Sequence, residues 1–500
     1  MKKGLSLSLI LVVMLVLMFS LTSAADDLVT LKMYYPAGGG EQDEQEMVDA
    51  KVNEYLQAEG INVNLERNPL DWSVWSTRMP LILSSGEQAD IIFTAEWDNF
   101  YANQAKGAFL ALDDLLDEYG QGIKDNIIPE LLDGPVVNDK LYAIPTNKEA
   151  AANNAYFLKT EVIDELDLWD ELAVVQESMD PRDLEPLLAA VKENKPDMTP
   201  LWLGGDDFFG WNIPVEEADK FAGFPGVAFL AVDTESNTVV NALEEHEGRL
   251  ASYDLIRDWY LKGYVNNDAA TTRTKPSDAL KSGRGWIITG SGKPDSENAA
   301  AASYGMDFEK VERNIAKITT SSVTGSMLAI NQNTKHPDKA MQVIDLLHRD
   351  KDFWNLFVWG IEGEHYEKVD ENIISLPEDV EKRADTGYDP GINWEIGNEF
   401  LSYIWDSENP NKWDLYREYN ENAEPTYLLG FVFNPENVKA EIAALNNVWK
   451  QYRPIIETGS VDTSGIIDRV NQKFYQVGLD TIIEEAQRQL DEWLEANDKI

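Results

Sequence analysis

The sequence predicts an α/β protein built from at least two lobes. Two observations carry that expectation. Strand-like and helix-like patterns alternate between residues 28 and 94, which is the signature of a sheet with parallel strands and helices on its faces. The chain of 500 residues is also longer than a single hydrophobic core supports.

Taken in order, Lys2 and Lys3 precede an uncharged apolar run over 5–21, and Ser23, Ala24 and Ala25 follow it. This is the pattern of a signal peptide cleaved near Ala25. The run is almost long enough for an uncleaved anchor, and either reading places the rest of the chain outside the cytoplasm. Residues 28–34 read as a strand, 36–40 as a loop and 41–59 as an amphipathic helix with acids in its first turn. A strand over 61–65 and a helix over 75–85 lead to 89–94, an almost wholly apolar run of the kind found in buried parallel strands. The middle of the chain, 147–321, mixes helices with aromatic-rich turns such as 202–211. The segment 282–295 reads as a turn-rich loop. A strand over 326–330 and a helix over 337–348 follow, and the chain ends on an amphipathic helix over 480–496.

Composition removes several function classes. With 89 Asp and Glu against 42 Lys and Arg, the surface repels phosphate backbones and anionic headgroups, so no nucleic-acid or membrane-surface partner is expected. The absence of cysteine excludes disulfides, thiolate metal sites and a lipidated cysteine. The four histidines form no zinc helix, and no twelve-residue calcium loop is present. The nearest approach to a hydrolase elbow, Thr289-Gly290-Ser291-Gly292-Lys293, has Thr where the first Gly should be. No cofactor, metal or catalytic residue is expected. A glycoside-hydrolase carboxylate pair stays open, because 89 acids supply chance pairs and no spacing selects one.

Several segments resemble the family 1 extracellular solute-binding proteins of ABC importers, in the branch with a C-terminal extension of unknown function. They are Ser84-Ser85-Gly86-Glu87-Gln88-Ala89-Asp90-Ile91-Ile92-Phe93-Thr94, then Gly107 to Leu116 with its Phe109-Leu110-Ala111-Leu112-Asp113 core, and Lys140-Leu141-Tyr142-Ala143-Ile144-Pro145. Later matches are Trp359-Gly360-Ile361-Glu362-Gly363, Trp394-Glu395-Ile396-Gly397-Asn398 and Leu429-Gly430-Phe431-Val432-Phe433-Asn434-Pro435. The resemblance implies a two-lobed, periplasmic-binding-protein-like fold with a ligand cleft between the lobes and hinge crossings. On this chain it gives a first lobe of 26–144 plus 324–359, and a second of 145–323 plus 360–500 that includes the extension. It also implies ABC permease subunits as partners, a monomeric receptor, and a position at the outer face of the cell membrane or in a periplasm. The family's usual lipobox cysteine is absent.

Fifteen tryptophans point to a carbohydrate ligand, because pyranose C–H groups stack on aromatic faces while nearby polar groups bind hydroxyls. Candidate ligand-binding residues are Trp72, Trp97, Trp202, Trp286, Trp359 and Trp394, at loops or element ends, with Tyr35 at the end of the first strand. Glu96 and Asn99 flank Trp97, and Glu395 and Asn398 flank Trp394. Asn147 and Lys148 follow the first crossing. Core packing of the rings and loop capping by the asparagines are the competing readings. An oligosaccharide receptor is the leading expectation; a peptide or other polar solute, a secreted glycoside hydrolase and a purely structural surface protein are the alternatives.

Overall fold

In the computed structural model, residues 28–205, 221–224, 227, 229–497 and 499 are described. The segment 1–25, expected to be a signal peptide, and the part of the aromatic-rich turn from residue 206 to Trp211 lie outside them.

The first lobe is organised by a five-stranded sheet. Val29–Ala37 pairs in parallel with Val63–Asp71 on one side and Ile91–Thr94 on the other. Met327–Ile330 then pairs antiparallel with Ile91–Thr94, and Ile144–Pro145 closes the edge. All four residues of Ile91–Thr94 and of Met327–Ile330 are buried, as strands covered on both faces require. The first strand continues through the Pro36 and Ala37 expected in a loop, because both are held in register against Leu70 and Asp71. The helices Gln45–Ala58 and Pro337–Arg349 pack on this sheet.

The second lobe centres on Asn154–Lys159, flanked antiparallel by Ile287–Ser291 and Phe308–Glu312. The segment expected as a turn-rich loop therefore contains a strand: Ile287 and Ile288 are buried against Leu158 and Phe157. A further three-stranded sheet, Phe221–Gly223, Leu230–Asp233 and Thr238–Asn241, carries the C-terminal helices Lys439–Glu457, Ile466–Gln476 and Leu479–Ala496. In the last helix Leu479, Ile482, Ala486, Leu490 and Leu494 are all buried, one stripe at helical spacing.

Three chain segments cross between the lobes and form a small sheet, with Ala151–Ala152 and Glu424–Pro425 on either side of Lys317–Ile318. The third crossing is displaced from the expected boundary at 359. Tyr366, Ile374, Tyr388, Ile392, Ile396, Tyr403 and Trp405 are all buried in the first lobe's core. Residues 360–405 therefore belong with the first lobe, and the chain leaves it only in the stretch that ends at Glu424–Pro425.

The crossings are tied by buried polar groups. Thr146 N–H donates to the Ser326 carbonyl at 2.9 Å, and the two side-chain hydroxyls lie 2.9 Å apart. Asn147 Nδ2 donates to the Asn126 carbonyl (2.8 Å) and to Asn398 Oδ1 (3.1 Å), while its Oδ1 accepts from Ile128 N–H (3.2 Å). Asn420 Oδ1 accepts from the backbone N–H groups of Ala150 and Ala151. Replacing Asn147 with Ala strands the partners of a buried amide, each worth about 1–3 kcal/mol. The urea midpoint of the variant is expected to fall by the equivalent of about 2–4 kcal/mol; an unchanged midpoint would show that the knot is dispensable.

Candidate functional site

Ligands of open α/β sheets sit outside the carboxyl ends of the parallel strands. Here that edge displays tryptophans. Val63–Asp71 ends on Asp71, whose carboxylate accepts the Ser73 N–H at 2.9 Å and so starts the next helix with Trp72 at its first position. Ile91–Thr94 runs into the one-turn helix Glu96–Asp98. That turn is fastened from below by Trp75, whose Nε1–H donates to Asp98 Oδ2 at 2.7 Å. Burial pushes the Asp98 carboxyl up to about 6.

Trp394 arrives from a segment 300 residues away in sequence and completes the surface. Its ring stacks on Trp72 with centroids 6.1 Å apart and planes within 11°. Trp97 lies 5.9 Å from Trp72 and 6.5 Å from Trp394, and Phe93 packs beneath Trp97 and Trp394 at 6.0 Å from each. Trp97 Nε1–H donates to the Gly325 carbonyl at 2.8 Å, which fixes the ring beside the second crossing. Trp97 stays 52% exposed and Trp72 39%.

Glu96 points elsewhere. Its Oε2 accepts the Ser321 hydroxyl at 2.6 Å, and it lines a cavity of about 780 Å³ between the lobes. Opposite it stand Tyr427, Phe431 and Phe433 of the C-terminal extension. Asn99 is exposed at the end of the turn with φ +62°, where it allows the chain to reverse into the next helix.

The other expected contacts are placed in the interior. Tyr35 is fully enclosed in the first lobe's core, 6.3 Å from Phe357. Trp286 is fully buried in the second lobe and donates to the Lys159 carbonyl. Trp202 is buried, donates to the Thr274 carbonyl and lies under Arg284 at 4.8 Å. Trp359 donates to Ser402 Oγ and meets Trp405 edge-on. Tyr35 lies on an inner strand whose residues 33–37 are all buried, so either face would enclose it. Asn147 and Asn398 are buried, their amides occupied by the hinge knot, with Asn398 Nδ2 also donating to the His348 carbonyl.

Lys148 belongs to a charge network at the hinge. It pairs with Glu149 at 3.2 Å, and Glu149 also pairs with Lys293 at 3.0 Å. Burial opposes ionisation of Glu149, but the two lysines outweigh it and hold the carboxyl below the usual range. Glu399, beside the same network, is pushed up by burial and by the Glu149 charge. Glu395, one residue from Trp394, is fully buried, and among the described residues neither carboxyl oxygen has a hydrogen-bond partner. Burial pushes it up to about 9, so it is uncharged at neutral pH.

Sequence reasoning did not single out Ser321, Tyr101, Tyr427 or Phe433. The 429–435 motif carried family resemblance but no sign that it faces a cavity. Among the described residues no cluster of His, Asp or Glu could hold a metal ion, and no helix is long and apolar enough to cross a membrane.

A family model described as bacterial extracellular solute-binding protein matches residues 38–352, and a domain of unknown function, DUF3502, matches 427–495. A carbohydrate ABC transporter substrate-binding protein of Streptococcus pneumoniae serotype 4 is 28% identical over 492 residues, covering 94% of this chain and 92% of that protein. The crystal structure of the N-glycan transport solute-binding protein NgtS from Streptococcus pneumoniae superposes with TM-score 0.79 at 25% identity, covering 93% of this chain and 99% of that one. Its complex with Man5GlcNAc, at 25% identity and covering 93% of this chain and 99% of that one, superposes with TM-score 0.65.

The buried Glu395 gives a pH signature. An unfolded glutamate loses its proton near 4.5, whereas Glu395 keeps it up to about 9 in the folded chain. The folded state thus binds the extra proton between these values, and stability falls as pH rises through that window, by at most about 1.4 kcal/mol per pH unit. Glu395→Gln removes this loss. Its urea midpoint should match the wild type at pH 4 and exceed it by a margin that grows from pH 5 to pH 9; a difference that does not vary with pH would show that Glu395 is ionised in the folded protein.

Proposed function

From the premise that this chain belongs to the bacterial extracellular solute-binding proteins, we propose that it captures a neutral oligosaccharide between its lobes and delivers it to the permease of an ABC importer. The observation that carries this reading is the cluster of exposed Trp72 and Trp97 with half-buried Trp394 at the carboxyl edge of the first lobe's sheet. Indole faces offer the C–H side of a pyranose an apolar platform, and the adjacent hinge lets the second lobe close over it. The neutrality of the ligand follows from an excess of acids over bases of 47 charges and from Glu96, which has no cationic partner among the described residues. The sugars named with the relatives favour a glycan over a peptide.

Export through a signal peptide cleaved near Ala25, and action as a monomer, complete the proposal. Catalysis has no support at the platform: Glu395 is enclosed, and Asp98 is engaged by Trp75. The sugar is expected to leave unchanged.

A thermal-shift screen of the mature protein against Man1GlcNAc, Man5GlcNAc, acidic oligosaccharides and short peptides tests the class of ligand. A ligand of the native state raises Tm by mass action, so a rise with neutral glycans alone, and intact sugar on product analysis, is expected. A rise with peptides alone, or shortened sugar, overturns the reading. Trp97→Ala should weaken glycan binding at least tenfold, about 1.4 kcal/mol, with Tm little changed because the ring is half-exposed. If affinity holds while Tm drops, Trp97 is a packing residue.

A further inference from the structure

We propose that the C-terminal extension supplies the far wall of a second sugar subsite, separate from the tryptophan platform. The inference rests on the reading of this chain as an oligosaccharide receptor and gives a role to the domain of unknown function at 427–495.

The cavity of about 780 Å³ is of the size and kind that small organic ligands occupy. The first lobe contributes Glu96 and Tyr101, the second crossing contributes Thr319 and Ser321, and the extension contributes Tyr427 and Phe433. Aromatic walls with a few hydroxyl and carboxylate groups suit a neutral, hydroxyl-rich unit. Glu96 uses Oε2 on Ser321 and forms no ion pair among the described residues; Lys317, which also lines the cavity, is paired with Glu424 at 3.3 Å. A carboxylate in that state accepts hydroxyls and repels anions.

The wall is built to keep its shape. Thr320 donates its hydroxyl proton to the Leu428 carbonyl and accepts the Gly430 N–H, each at 3.0 Å. Thr426 N–H donates to the Ile318 carbonyl at 2.8 Å. Gly430 has φ +87°, which turns the loop back under this tether. Behind the loop, Phe431 meets Phe224 and Trp493 edge-on at 5.4 and 5.5 Å, and Phe433 meets Phe224 at 5.1 Å. Tyr427 and Val432 remain only half-buried and line the open side.

Two adjacent residues link the sites. Trp97 belongs to the platform and Glu96 to the cavity. A glycan long enough to pass Glu96 reaches the extension, whereas a disaccharide stays on the tryptophans. The extension thereby rewards length.

The test uses the full mature chain and calorimetric titration with Man1GlcNAc and Man5GlcNAc. Val432→Trp fills the cavity from the extension, and Ser321→Trp fills it from the hinge. Either substitution should raise the Kd for Man5GlcNAc at least tenfold while leaving that for Man1GlcNAc within about twofold. Ser321 is exposed, so this variant decides the matter if Val432→Trp does not fold. Unchanged Man5GlcNAc affinity in a folded variant overturns the subsite and leaves the receptor reading standing. Equal losses for both glycans also overturn it, since the two sites would then be one. A wild-type protein that binds neither glycan removes the receptor reading on which the subsite rests.

Discussion

Asn147 sets the geometry on which the rest depends. A buried amide must find partners for its donors and its acceptor or cost the fold the full desolvation of each. Asn147 finds them on three separate stretches of chain, at Asn126, Ile128 and Asn398. Its backbone adds two more bonds, to the Gly397 carbonyl and from the Glu399 N–H. The first crossing is thereby joined to the segment that carries Trp394. That segment can approach the sheet edge only where Gly397, at φ +59°, passes against Leu347; a Cβ there would sit 2.3 Å from the Leu347 carbonyl oxygen. Hinge position and platform position are thus one constraint: Trp394 meets Trp72 because the chain behind it is pinned to the crossing.

Charge is distributed to the same end. A chain this acidic gains nothing from burying another unpaired carboxylate, and Glu149 and Glu395, both enclosed near the site, are handled differently. Glu149 is kept ionised by Lys148 and Lys293, and the Lys293 pair ties the residues just before the first crossing strand to the second lobe. Glu395 has no such partner and is kept neutral by burial. A neutral carboxyl behind Trp394 spares the platform a negative charge at its back. A buried ion pair is a weak source of stability but a strong source of geometric preference, and the Glu149 network lies where the preferred angle between lobes is set.

The first lobe was legible because its strands are short, apolar and separated by strongly periodic helices. The run ending in Ile91-Ile92-Phe93-Thr94 and the helix ending at residues 348–349 required little beyond pattern. The third crossing was not legible: Gly360, at φ +85°, ends a helix in the way a domain boundary does, and the irregular aromatic stretch that follows carries no period to say which core it joins. Of the candidate rings, Trp72, Trp97 and Trp394 came together, while Tyr35, Trp286 and Trp359 were absorbed by cores. Sequence position identifies a ring near an element's end; it does not say on which side of the element the ring falls. The asparagines show the same limit, because an Asn after a crossing strand suits a ligand hydroxyl and a chain carbonyl equally well.

The division between an exposed platform and a deeper cavity has a physical logic for a receptor that must both hold and release. Stacking of a sugar on these indoles, as proposed, would need little ordering of side chains, since the three rings are already packed on one another and two of them on Phe93. Closure adds contacts only where the second lobe brings new surface. Tyr427 and Phe433 belong instead to a wall tethered to the hinge through Thr320 and Thr426 and backed by Phe224 and Asn237 of the second lobe. Rotation about the crossings moves a wall anchored on them less than it moves the distant face of the lobe. Contacts made there therefore vary little with the hinge angle. In the proposed receptor such contacts would report how long the ligand is, while the tryptophans and the moving face would decide whether it is held.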